Sequence, residues 1–183
     1  MLTLDLNKIR TAQERFERIY RPEQLPRESD FSVVEPVSLA FDIFHPGAGA
    51  PGASKGKQQF RIVGDVKTTL ELPCSRCLEP FRQPVDAHFD LRYQPHAANT
   101  GEDEREIEED DLTTAFYDNE EIDLGQLMRE QFYLALPMKP LCGDDCKGLC
   151  PMCGTNLNRG SCSCKRDWDD PRLAALKDLK AEG

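Results

Sequence analysis

Eight cysteines, Cys74, Cys77, Cys142, Cys146, Cys150, Cys153, Cys162 and Cys164, are the residues of this chain best placed to do chemistry. Thiols so dense can cross-link, exchange electrons or hold a metal, and the compartment decides among these. No run approaches the roughly 18 apolar residues of a membrane span. The opening residues Met1-Leu2-Thr3-Leu4-Asp5-Leu6 alternate apolar and polar where a signal peptide is continuously apolar. The expected location is therefore cytoplasmic, where thiols stay reduced and clustered cysteines point to metal. Spacing agrees, because neighbouring C-x-x-C and C-x-C pairs close rings too tight for structural disulfides.

Eight is also the number of donors that two tetrahedral zinc ions use, since zinc takes four soft ligands and leaves none over. Cys150-Pro151-Met152-Cys153-Gly154 reads as a zinc knuckle: two thiolates three apart bite one metal, and glycine allows the turn that aims amides at sulfur. Only eight residues separate Cys153 from Cys162, so Cys162-Ser163-Cys164 completes this site at small entropic cost. Cys142 and Cys146 then fall to Cys74 and Cys77, a closure across 64 intervening residues that gives metal long leverage over the fold. A competing partition groups Cys142, Cys146, Cys150 and Cys153, leaving Cys74, Cys77, Cys162 and Cys164 together; a single occupied site is a third arrangement, and spacing alone leaves all three open.

Other chemistries fit less well. The spacings match neither ferredoxin pattern of iron–sulfur ligation. His45, His88 and His96 lie apart from the cysteine motifs and read as ordinary surface or hairpin histidines. Gly56-Lys57 resembles the end of a phosphate loop, but Pro51 and Gln58 stand where glycine and Ser/Thr are required. Neither H-E-x-x-H nor G-x-S-x-G occurs. A zinc-dependent hydrolase or nuclease acting on RNA is the first alternative function, although catalytic zinc keeps a position for water that four cysteines per ion would close. A thiol redox or metal-delivery protein is the second, and it lacks the βαβ context of a thioredoxin motif around Cys74. No catalytic residue and no small-molecule substrate are expected.

The elements that must position these sulfurs follow from pattern. Leu2, Leu4 and Leu6 suggest a short strand, and Thr11 to Tyr20 reads as helix-compatible until Pro22 and Pro26 end it. The segment from Ser32 to Phe44 is rich in β-branched and aromatic residues and reads as strand. Alternation over Gln59 to Leu72 and again over Phe81 to Tyr93 predicts a hairpin whose connection, Pro73 to Pro80, carries Cys74 and Cys77 at its tip. A strand is expected over Leu112 to Tyr117. Asp123 reads as the N-cap of a helix placing Leu124, Leu127, Met128, Phe132, Ala135 and Leu136 on one face, stopped by Pro137. Asp170 and Pro171 mark a second helix start, with Leu173, Leu176 and Leu179 spaced to dock. The fold class is α+β: a mainly antiparallel sheet or open barrel packed by helices, with a small C-terminal zinc-binding unit. Residues 1–141 form the core domain and 142–183 the cysteine-rich tail.

Net charge is −10, and two zinc ions on eight thiolates bring it to about −14. Residues 102–111 hold Glu102, Asp103, Glu104, Glu106, Glu108, Glu109, Asp110 and Asp111 against Arg105 alone. Such a chain is a poor general binder of bare RNA, whose affinity comes from cations displacing counterions. A basic protein is the easier partner, and the acidic run is either a shield for it or a solvated loop. Arg76, Lys147, Arg159, Lys165 and Arg166 lie in or beside the cysteine motifs; they either make a local contact to RNA or a partner, or offset the charge of the metal centres.

The ordered set Cys74-Ser75-Arg76-Cys77-Leu78-Glu79-Pro80-Phe81, Leu136-Pro137-Met138-Lys139-Pro140-Leu141-Cys142, Cys146-Lys147-Gly148-Leu149-Cys150-Pro151-Met152-Cys153-Gly154-Thr155-Asn156-Leu157-Asn158 and Asp170-Pro171-Arg172-Leu173-Ala174-Ala175-Leu176 resembles the YceD family. These are proteins of bacteria and plastids linked to accumulation of large-subunit ribosomal RNA. The resemblance runs from about Gln59 onward. It implies a role in synthesis, processing or stability of large-subunit (23S) ribosomal RNA, with a ribosomal protein or precursor large subunit as partner, and supplies no catalytic residue.

Overall fold

One long hairpin organises the protein. The computed structural model describes residues 2–45, 59–96 and 113–164, and within them β5 (Phe60–Pro73) and β6 (Pro80–Pro95) pair without interruption from Phe60↔Tyr93 to Pro73↔Pro80. The period-2 pattern explains it: Phe60, Ile62, Val66 and Leu70 on β5, with Val85, Phe89 and Tyr93 on β6, face a common core, while Arg61, Asp65, Lys67, Asp86, His88 and Asp90 face water. On the wet face cross-strand charges pair, Lys67 with Asp86 at 2.8 Å and His88 with Asp65 at 3.0 Å.

Around this hairpin lie β2 (Gln13–Tyr20), β3 (Ser32–Val33), β4 (Val37–Phe44) and β7 (Thr114–Tyr117), in the order β2-β4-β5-β6-β7, with β3 beside the distal half of β5. All pairings are antiparallel except β6 with β7. A separate two-stranded piece joins β1 (Thr3–Asp5) to β8 (Glu121–Asp123). The sheet is open, ending at β2 and β7. Because β4 pairs only with Arg61 to Lys67, the hairpin runs on past it and carries its tip away from the central strands.

Helix α1 (Leu124–Ala135) starts where expected. The Asp123 carboxylate accepts from the N–H groups of Gly125 at 2.8 Å and Gln126 at 3.0 Å, two of the donors a helix start leaves unpaired. Its buried face is Leu124, Gly125, Leu127, Met128, Gln131 and Phe132, packed on β6 and β1. Ala135, expected on that face, is exposed, and Gln131 takes a buried place instead. Asp123→Ala should lower stability by about 1 kcal/mol in urea unfolding, with the helix start losing amide protection first.

The expected helix over Thr11 to Tyr20 is overturned: Gln13–Tyr20 is the edge strand β2, paired along its whole length with Val37–Phe44. The expected strand from Ser32 to Phe44 divides into β3 and β4. The Gly56-Lys57 loop, the acidic run 102–111, Lys165, Arg166 and the helix expected from Asp170 lie outside the described residues. Among those described, no helix is long and apolar enough to cross a membrane.

Candidate metal centres

The turn at the hairpin tip and the Cys150 turn are built alike. Leu78 donates its N–H to the Cys74 carbonyl at 2.9 Å and Cys74 donates to Glu79 at 2.9 Å; correspondingly Gly154 donates to Cys150 at 2.8 Å and Cys150 to Thr155 at 2.8 Å. Both turns need a left-handed residue after the second cysteine. Gly154 supplies it at φ +72° without strain, whereas Leu78 occupies it at φ +61° with a Cβ penalty and an exposed side chain.

These turns gather the sulfurs into two sets of four. Cys74, Cys77, Cys142 and Cys146 form an inner set, and Cys150, Cys153, Cys162 and Cys164 an outer one; within each, all Sγ atoms lie within 4.8 Å of one another. The grouping is the one that loop closure favours. In the inner set Cys74 and Cys146 are 3.7 Å apart, as are Cys77 and Cys142. A tetrahedron of metal–sulfur bonds of about 2.3 Å has edges of about 3.8 Å, so the donor set fits a four-coordinate ion such as zinc. Three inner cysteines are buried, with Phe81 and Leu141 packed against them; in the outer set only Cys150 is buried.

Electrostatics splits each set. Burial opposes ionisation of Cys74, but the N–H groups of Cys142, Cys77 and Arg76 outweigh it and bring the thiol down to about 6. Cys146 is lowered, first by the side chain of Asn158. The neighbouring thiols of Cys146, Cys77 and Cys74 push Cys142 up to about 12. Outside, the Thr155 hydroxyl and N–H bring Cys153 down to about 6, while Cys153 itself heads the causes that push Cys164 up to about 12. In each set two thiols are thus shifted down and two up. A bound cation removes the conflict.

The chain after α1 is tied to the hairpin tip on both sides of Cys142 and Cys146. Ser75 donates to the Pro140 carbonyl at 2.8 Å, and Leu149 to the Arg76 carbonyl at 3.1 Å. Gly148, at φ +73°, passes so close that a Cβ there would meet the Arg76 carbonyl at 3.0 Å. The Arg76 guanidinium reaches the carbonyls of Cys146 at 2.9 Å and Asp144 at 3.3 Å, and Arg159 pairs with Glu79 at 2.7 Å. Of the five cations singled out in the sequence, these two therefore fasten loops together, and Lys147 is exposed. No histidine joins either set: His45 stacks on Phe60 at 4.7 Å, His88 pairs with Asp65, and His96 lies against Phe116 at 5.6 Å.

Sequence reasoning missed Glu79, Asn156 and Asn158. Asn156 donates to Glu79 at 3.3 Å, and Asn158 donates to the Cys146 sulfur at 3.3 Å. The signal that could have found them is Asn156-Leu157-Asn158, two short amides placed between cysteine pairs where the backbone must turn repeatedly.

Comparison with known proteins follows the same residues. A Zea mays protein named large ribosomal RNA subunit accumulation protein YCED homolog 1, chloroplastic, is 28% identical over 135 residues, 61% of this chain and 46% of the relative. Its Arabidopsis thaliana namesake is 25% identical over 174 residues, 84% of this chain and 51% of the relative. The chain thus spans about half the length of these two relatives. An uncharacterised Bacillus subtilis protein is 32% identical over 130 residues, 68% of each chain. No solved structure matches. The family described as large ribosomal RNA subunit accumulation protein YceD matches residues 62–180, from the hairpin through both cysteine sets, and the chain belongs to that YceD family.

Proposed function

We propose that the protein is a non-catalytic zinc-binding factor that supports synthesis, processing or stability of large-subunit ribosomal RNA and ribosome assembly. The observation that carries this reading is the pair of four-sulfur sets, each supplying the four donors that fill a tetrahedral ion and would leave no position for water. A catalytic zinc keeps such a position, which argues against the hydrolase and nuclease alternatives. The hydrogen bonds that fasten the segment after α1 to the hairpin tip fit centres whose work is to hold a surface in shape. Family membership supplies the biological context, through relatives named for ribosomal RNA accumulation.

The partner is a ribosomal protein or precursor large subunit in the cytoplasm. The chain's net charge of −10 favours a basic protein over naked RNA, and the interlocked Arg76 and Arg159 leave Lys147 as the described cation beside the cysteines most open to a local RNA contact.

Replacing the resident copy in its native host by the Cys77→Ser/Cys142→Ser variant should lower the ratio of large- to small-subunit ribosomal RNA, and the wild-type protein should sediment with precursor large subunits. Metal analysis should return two zinc per chain. An unchanged RNA ratio in cells whose variant has lost its inner metal overturns the proposal, as does metal-dependent cleavage of precursor RNA by the purified protein.

A further inference from the structure

Asn158 belongs to the outer set by position and to the inner set by contact. It lies on the chain between Cys153 and Cys162, yet its Nδ2 donates to the inner sulfur of Cys146 at 3.3 Å. The orientation of its amide is fixed by chemistry: the Lys147 N–H, a donor, stands 2.7 Å from Oδ1, so the sulfur must face Nδ2. The outer loop holds Asn158 there. Leu149 pairs with Asn156 as an antiparallel bridge, Leu157 donates to the Gly148 carbonyl at 2.9 Å, and the Asn156 side chain accepts from the Asn158 N–H at 3.0 Å. These contacts lie in the loop that Cys150 and Cys162 bracket, and an outer metal on those sulfurs would hold both ends of that loop.

We propose that Asn158 is a positioning residue of the inner centre delivered by the loop of the outer one, so that the two centres take up metal with positive cooperativity. The inference rests on the metal-binding reading and adds to it. A four-thiolate centre with a divalent ion carries an excess of two negative charges, and a neutral N–H directed at one sulfur stabilises that charge without competing for the metal. Filling the outer centre orders the loop and places the donor. By linkage, filling the inner centre strengthens the outer by the same factor.

The test is cobalt(II) titration of the full-length protein, read by the thiolate-to-cobalt absorption and by competition with a chelator. Wild type should bind two equivalents. Cys153→Ser/Cys164→Ser, which removes the outer centre, should weaken cobalt binding at the inner one about tenfold. Asn158→Asp keeps the shape and the acceptor for Lys147 but replaces the donor with a carboxylate beside the sulfur; it should weaken the inner centre at least about tenfold while the outer still loads. Its inner-centre charge-transfer band should also move to lower energy, a signature that a mere loop staple would not produce. Combining the changes should cost no more than either alone. Cys77→Ser/Cys142→Ser should weaken the outer centre equally. Two equivalents bound with inner affinity indifferent to Asn158→Asp, or with additive losses, overturn the coupling alone. No cobalt uptake by the wild type overturns the metal reading together with it.

Discussion

Removing metal from both centres with a strong chelator should unravel the chain from about residue 137 to 164 while the six-stranded sheet stays folded. The asymmetry follows from what each part has to hold it. The sheet and α1 share a continuous apolar core that includes Val37, Leu39, Phe41, Ile43, Ile62, Val66, Leu70 and Met128, all at most 1% exposed. Beyond α1 the described chain has no helix or strand longer than a single bridge; its buried residues are Cys146, Gly148 and Cys150. Ordering a residue costs about 1–2 kcal/mol of backbone entropy, and the few hydrogen bonds from this segment return about 1 kcal/mol each. Structural zinc contributes roughly 10–16 kcal/mol of apparent binding free energy in small domains, so metal does more than any other interaction to keep this segment ordered. Amide exchange should show loss of protection confined to this segment and the Ser75 amide of the hairpin tip that bonds to it, and all eight thiols should become open to labelling. Cys77→Ser should release the hairpin tip from the segment after α1. Cys153→Ser should disorder only the loop from Lys147 onward, leaving the inner centre filled though about tenfold weaker. Protection over 141–164 that persists with every thiol reduced, labelled and metal-free would remove the basis for a structural metal, and global cooperative unfolding by both substitutions would show that the two centres are not separate.

The hairpin was legible because its alternation is nearly uninterrupted and its tip carries two cysteines. The cap at Asp123 was legible because a short acceptor stands directly before an apolar-periodic run. The strand β2 was not. Its inward positions are Glu14, Phe16, Arg18 and Tyr20, two of them charged, so the period-2 signal is diluted. Glu14 serves there as an acceptor, from the N–H groups of Arg10 and Thr11, and Arg18 lies 3.4 Å from the Tyr20 hydroxyl. Meanwhile Ile19 points outward at 74% exposure, and Phe16, Ile19 and Tyr20 mimic the spacing of a helix face. An edge strand with charges on both faces is protected from pairing with other chains, and the same protection hides it from pattern reading. Loop length favoured the cysteine grouping found here but left two others open, whereas Glu79, Asn156 and Asn158 act through contacts between segments far apart in the chain or across a turn, which spacing does not encode.

Gly64→Ala should be among the most destabilising single-methyl additions in the protein. Gly64 sits in the middle of β5, opposite Phe41 of β4 on one side and Phe89 of β6 on the other. A Cβ there would lie 2.3 Å from the Ala40 carbonyl oxygen, 2.5 Å from the Phe41 Cβ and 2.7 Å from its Cα. These are backbone and backbone-attached atoms of the adjoining strand, so no rotamer change relieves the overlap. Phe41 has no freedom to retreat, being 1% exposed and stacked on Phe16 at 5.3 Å. The strands must part or bulge, and the expected loss is about 3 kcal/mol in urea unfolding, at the upper end for overpacking. Gly143→Ala and Gly160→Ala, where nothing lies within 4 Å of the added carbon, should change stability by no more than about 0.5 kcal/mol. Because Gly64 lies ten positions before Cys74 in the strand that leads to the inner centre, its substitution separates two kinds of damage. The surviving folded fraction of Gly64→Ala should bind cobalt with wild-type affinity, since the tip turn retains its own hydrogen bonds and sulfurs. A Gly64→Ala protein as stable as wild type would mean that β4 does not approach β5 this closely; one that folds fully but binds metal weakly would mean that the sheet tunes the centre instead of only carrying it.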